Sequence, residues 1–171
     1  MLAYAGEYKR YRNLLTGALK QLSDEAFFQR LSPQTTSAAI IVNHLSGNFQ
    51  SRFTDFLTSD GEKPWRRREA EFEVEGLSRP DLMKRWERAW QTVSDSVFPL
   101  TEADLSRVIT VRGVELTVAE ALTRSLSHFS YHVGEVVLLA RYFCGEEWRF
   151  LSIAPGETAA YNANPTREKL P

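Results

Sequence analysis

Apolar residues recur every three or four positions in four long stretches of this chain, and each stretch predicts an amphipathic helix. The first spans about residues 4–22 and carries Tyr8, Tyr11, Leu15, Ala18 and Leu22. The second spans about 37–57, with Ile41, Leu45, Phe49, Phe53 and Phe56 on one face. The third opens at "SRPD", where Ser78 caps, Asp81 completes a capping box and Pro80 suits the first turn. Leu82, Trp86, Trp90, Val93 and Val97 carry its stripe to about Phe98. The fourth begins at the capping box of Thr117 and Glu120 and runs to about Phe143, with Gly145 as its stop.

The segments between these helices are short, with one exception. Ser23, Asp24 and Glu25 read as the cap and acidic first turn of a short helix ending near Arg30. "TEAD" suggests a capped single turn, and "RVITVRGVEL" alternates like a β-hairpin bent at Gly113. The exception is "TSDGEKPWRRREAEFEVEG", which has no clear period and is long for a connection; such loops are usually functional or disordered. The pattern predicts an all-α protein, a four-helix bundle with a small β-hairpin before the last long helix. One domain is expected over 1–171, with its core at about 4–145 and a turn-rich tail from 146.

Composition narrows the function classes. A hydrophobic share of 43% and a charged share of 25% are ordinary for a soluble globular protein. A net charge of −1 gives no global basic field to attract nucleic acid or an anionic membrane. The single cysteine, Cys144, excludes an intrachain disulfide and fits a cytoplasmic setting. It sits at a helix C-terminus, where the dipole disfavours a thiolate, so it is a poor nucleophile. The first residues are charged, without the apolar core of a secretory signal, and no run is apolar enough to span a membrane.

The candidate chemistry lies in the three histidines. His128 and His132 stand four apart on the fourth helix, whose seam runs Val118, Leu122, Ser125, Phe129, His132, Val136, Leu139 and Phe143. That spacing sets two imidazoles one turn apart on one face, the arrangement with which a helix chelates a metal ion. His44 lies beside the apolar stripe of the second helix and also reads as inward. Burying three uncompensated imidazoles costs free energy, which a shared divalent cation removes. Histidines of the core or surface, each with its own hydrogen-bond partner, are the other reading of the same spacing.

"HFSYHVGEV" resembles the H-x-x-x-H-x-G-[Q/E]-hydrophobic signature on the last helix of the DinB-like superfamily, and His44 in "VNHLSGN" matches the single histidine of its second helix. The resemblance covers about residues 4 to 145. It implies a DinB-like four-helix bundle, often a homodimer, whose metal ligands would be His44, His128 and His132. The implied ion is divalent: nickel, zinc, iron or manganese. The surplus aromatics Phe49, Trp86 and Trp90 are candidates for the dimer contact. Glu135 stands where glutamine is commoner in that superfamily.

Three neutral ligands would leave positions open for water or substrate, as in catalytic sites. Glu135, one turn below His132, would orient a ligand imidazole or accept a proton, unless it is solvated or paired with an arginine. Tyr131 is a candidate donor to a substrate oxygen, with packing as its other role. Asn48, four residues after His44, either lines the site or bonds between helices. In "KPWRRR", Trp65, Arg66 and Arg67 are candidates for a lid that grips a carboxylate substrate through guanidinium forks, the alternative being a solvated charged face. The loop 59–75 and the tail near Trp148 would shape the pocket. Some DinB-like proteins resemble thiol-dependent S-transferases or isomerases and others have no assigned activity, so the activity the resemblance implies is metal-dependent thiol transfer or hydrolysis of a small molecule, with a low-molecular-weight thiol as partner. The competing class is a non-catalytic, stress-related metal-binding bundle.

Overall fold

The computed structural model describes residues 3–166. The expected single domain of 1–171 therefore has ends, residues 1–2 and 167–171, that lie outside the described residues. The chain is mostly helical. In order come α1 (Ala3–Leu19), α2 (Asp24–Phe28), α3 (Ala38–Phe53), α4 (Arg79–Val97), the strands β1 (Val108–Val111) and β2 (Val114–Thr117), α5 (Val118–Cys144) and α6 (Thr158–Ala163). Short 3-10 turns occupy Glu69–Phe72, Glu102–Asp104 and Gly145–Glu147.

Local chemistry sets most of these boundaries. Ser78 and Asp81 form the capping box of α4, and Thr117 and Glu120 form that of α5. Each box satisfies backbone N–H groups that the first helical turn leaves unpaired. Gly145 ends α5 with φ +54°, on the left-handed side that a glycine enters without penalty. α3 stops at Phe53, four residues earlier than its apolar spacing predicts. Thr54 turns extended and Asp55 takes φ +49°, while the Thr58 and Ser59 amides donate to the Asp55 carbonyl. That turn carries Phe56 back onto the core outside any helix.

The four long helices share one apolar core. α3 packs against α4 and α5, and α1 against α4 and α5. At its centre Phe49 meets Tyr8, Phe53, Trp86 and Phe129 with ring centroids 5.1 to 6.2 Å apart. Phe49, Trp86 and Trp90 are thus interior residues, and the surplus aromatic surface expected of them is spent inside one chain. The predicted seam of α5 faces this core, with one adjustment: Val133 takes the deep position and His132 lies at its edge, half-buried.

The hairpin pairs Val108 with Thr117 and Val111 with Val114, leaving Arg112 and Gly113 as a two-residue turn. Both turn residues have positive φ, as a type I′ turn requires. Arginine is poor at such a position, and the loop after α3 compensates. The Arg112 and Gly113 amides donate to the Asp60 carboxylate at 2.9 and 2.7 Å, and the Gly61 amide donates to the Thr110 carbonyl at 2.8 Å. Bonds to the Asp60 carboxylate from the Glu62 amide, at 2.6 Å, and from the two hairpin amides hold the Asp60 pKa down at about 2. The hairpin bonds also bring the long loop against the hairpin, beside the histidines.

Candidate metal centre

α3 and α5 bring the three histidines together. The Nε2 atom of His128 lies 3.2 Å from Nε2 of His44 and 3.2 Å from Nε2 of His132, and one nitrogen from each ring lies within 4.8 Å of the others. His44 is buried; His128 and His132 are half-buried. The outer nitrogens of two rings have carboxylate partners. His44 Nδ1 lies 2.9 Å from Glu71 Oε2, and His132 Nδ1 lies 2.6 Å from Glu135 Oε2. A neutral imidazole with its proton on Nδ1 presents a bare lone pair at Nε2. In that form His44 and His132 are both acceptors towards the centre, and the single Nε2 proton available to a neutral His128 serves only one of them well.

A cation would resolve that crowding. Ligand nitrogens about 2.1 Å from one ion, at angles between octahedral and tetrahedral, lie about 3.0–3.4 Å apart. The observed 3.2 Å separations fall in that range. Neutrality is also maintained: burial and the two neighbouring histidines push the His128 pKa down to about 4, and burial lowers that of His132 against the pull of Glu135. The cluster can hold a metal ion, and the carboxylate–histidine pairs are the support that orients such ligands.

Glu71 is the site residue that the sequence pattern misses. It lies in the 3-10 turn of the long loop, 8% exposed, among four glutamates at alternate positions with nothing to single it out. Arg66 donates to both its oxygens, from Nε at 2.8 Å and Nη2 at 2.9 Å. Asn43, one residue before His44, holds the same turn by donating to the Glu71 carbonyl at 3.0 Å, while Arg85 donates to the Asn43 oxygen. Burial would raise the Glu71 pKa, but the bonds from His44 and Arg66 outweigh it and keep the carboxyl below its usual range. One sequence signal for this contact exists, Gly47. A Cβ there would lie 2.6 Å from Glu71 Cδ, so only glycine on the next turn of α3 admits the carboxylate to His44.

The remaining candidates fall in different places. Glu135 and Asn48 are at the site: Glu135 orients His132, and Asn48 lines a cavity of about 350 Å³ that reaches His44 and His128. Tyr131 is not in that cavity. It is 63% exposed, and the charge of Glu135, followed by the bond its hydroxyl makes to that carboxylate, raises its pKa. Arg66 lines the cavity, but its side chain is only 2% exposed and its fork is taken by Glu71, so it is a structural cation rather than a mobile gripping residue. Trp65 and Arg67 line a second depression that contains no histidine. Trp148 and the tail line a third, and Arg149 pairs with Gln21 at the end of α1; the tail does not shape the histidine cavity. Its walls are instead the loop after α3 and the hairpin residues Val111, Val114 and Leu116.

Fold and site together define a mostly helical protein with a carboxylate-supported cluster of three histidines. The chain belongs to the family described as "Protein of unknown function (DUF1572)", whose model matches residues 2–157. No curated protein and no solved structure matches it. No helix among the described residues is long and apolar enough to cross a membrane.

Proposed function

We propose that this chain is a four-helix bundle of DinB-like type that holds one divalent metal ion on His44, His128 and His132 and acts on a small molecule by metal-dependent thiol transfer or hydrolysis. The observation that carries the reading is the convergence of three Nε2 atoms beside an open cavity. Such an ion, when bound, supplies Lewis acidity that makes a thiol or water nucleophilic near neutral pH. The protein's own groups do the rest. Glu71 and Glu135 hold the Nδ1 protons of His44 and His132, which fixes both tautomers and aims both lone pairs inward. Arg66 keeps Glu71 ionised, and Phe72 stacks on the His44 ring at 5.0 Å and limits its rotation. Glu135, half-buried and bonded to both His132 and Tyr131, is the candidate proton acceptor.

The test of reaction class is turnover of a panel of small electrophiles with cysteine-based thiols, and of ester and amide substrates without thiol, by metal-loaded protein. Metal-dependent turnover in either arm is expected, lost in His128→Ala. Full metal occupancy with no turnover in both arms would leave a non-catalytic metal-binding bundle.

The same reading includes a homodimer, through a different surface from the one the aromatic count suggests. Tyr131, Leu138 and Tyr142 stand 63%, 59% and 67% exposed along one face of α5. Leu138→Glu is expected to convert a dimer to a monomer in light scattering; a wild-type monomer at micromolar concentration removes this part of the proposal.

A further inference from the structure

The cavity beside the histidines has a charge pattern that the metal centre does not need. Five arginines line it (Arg52, Arg66, Arg68, Arg112 and Arg124), and no carboxylate does. Glu62 alone serves three of them, accepting from Arg52 at 2.9 Å, Arg112 at 3.1 Å and Arg66 at 3.4 Å. Glu71 is committed to Arg66 and His44, and Asp60 to backbone amides of the hairpin turn. Arg68 reaches Glu69, whose side chain is 88% exposed and screened by solvent. Arg124 has no hydrogen bond or ion pair among the described residues, so its whole guanidinium fork is available. Only Nε of Arg112 is engaged by Glu62, which leaves the two terminal nitrogens of that side chain.

Position gives this charge a purpose. Arg124 precedes His128 by four residues on α5, so it stands on the same face, about 6 Å along the axis from the histidine. Much of the remaining lining is apolar: Val111, Val114 and Leu116 of the hairpin, with Phe53 and Phe56. Val114, one of these lining residues, is 60% exposed.

We infer that the cavity binds an organic acid, a carboxylate or phosphate ester with an apolar body. Its anionic end is gripped by Arg124 and Arg112, its body lies on the hairpin wall, and its other end reaches the histidine cluster. Guanidinium forks recognise both oxyanions through paired charged hydrogen bonds. The assignment of this acid as substrate rests on the metal-site reading above, whereas its binding by arginine does not.

The test is calorimetric titration of metal-stripped, full-length protein with three probes: 4-phenylbutyrate, phenyl phosphate and the neutral 4-phenylbutyramide. Either or both anions are expected to bind, with affinity that falls as salt is raised, and the amide to bind at least about tenfold more weakly. The ratio of the two anions tells carboxylate from phosphate recognition. Arg124→Ala should weaken anion binding at least about tenfold with an unchanged melting temperature and metal content, while Arg67→Ala, in the second depression, should not change it. Equal binding of acid and amide, or anion binding indifferent to Arg124, overturns the inference. Anion binding seen only in metal-loaded protein also overturns it and leaves the metal site standing. Arginine-dependent binding in a chain that takes up no metal upholds the anion site and overturns its assignment as substrate.

Discussion

Replacing His128 with alanine is expected to abolish stoichiometric metal binding while leaving the helical fold in place. Wild-type protein purified without chelator or histidine tag should carry about one divalent ion per chain by elemental analysis. His128 is the central ligand, since its Nε2 is the one within 3.2 Å of both others. The variant leaves two nitrogens on different helices, and affinity should fall by more than the about 10–100-fold typical of losing a supporting residue. The stability readout is independent of any activity. An ion at about a thousand times its dissociation constant adds about 4 kcal/mol, or about 8–16 °C in melting temperature for a protein of this size. That increment should vanish in the variant, while the metal-free proteins melt close together. The buried Nδ1 of His128 has no partner among the described residues, so removing the ring forfeits no hydrogen bond there. Equal metal content and an equal melting shift in wild type and variant would refute the metal site.

Helix stripes, capping boxes and the histidine spacing were legible in the sequence because each is a local pattern with a fixed period. The Thr117 and Glu120 box fixes where α5 starts, and the four-residue spacing of His128 and His132 fixes their shared face. What escaped was decided by contacts distant in sequence. Glu71 lies 27 residues from His44, in a loop whose glutamates alternate without distinction, and only the fold selects one of them. The same fold turns Arg66 from an apparent lid residue into a buried partner. The arginines that do face the cavity come from α3, the loop, the hairpin and α5, so no single stretch of sequence shows them as a patch. The end of α3 is masked for a local reason: Phe56 keeps the helical spacing although Asp55 has left the helix.

Glu71→Ala is expected to be the most destabilising single substitution around the site, at about 3–5 kcal/mol in denaturant titration. It would strand the Arg66 guanidinium, 2% exposed, with only a 3.4 Å contact to Glu62 in place of two bonds to Glu71. A loss of that size is a large fraction of the about 5–15 kcal/mol that holds a typical domain together. The substitution should also lower metal affinity by about 10–100-fold, because the Nδ1 proton of His44 loses its acceptor and the ring its fixed tautomer. Those two effects have different causes and can be separated. The double variant Glu71→Leu, Arg66→Met removes both charges and fills the space with apolar atoms, so most of the stability should return. Metal affinity should not return with it, since no carboxylate faces His44. Gly47→Ala offers the complementary case: helix propensity favours alanine by about 1 kcal/mol, yet its methyl group would push the Glu71 carboxylate off His44. It should weaken metal binding while both charges remain. If the double variant recovers metal affinity together with stability, the Glu71 carboxylate acts only in packing, and the tautomer of His44 is set elsewhere.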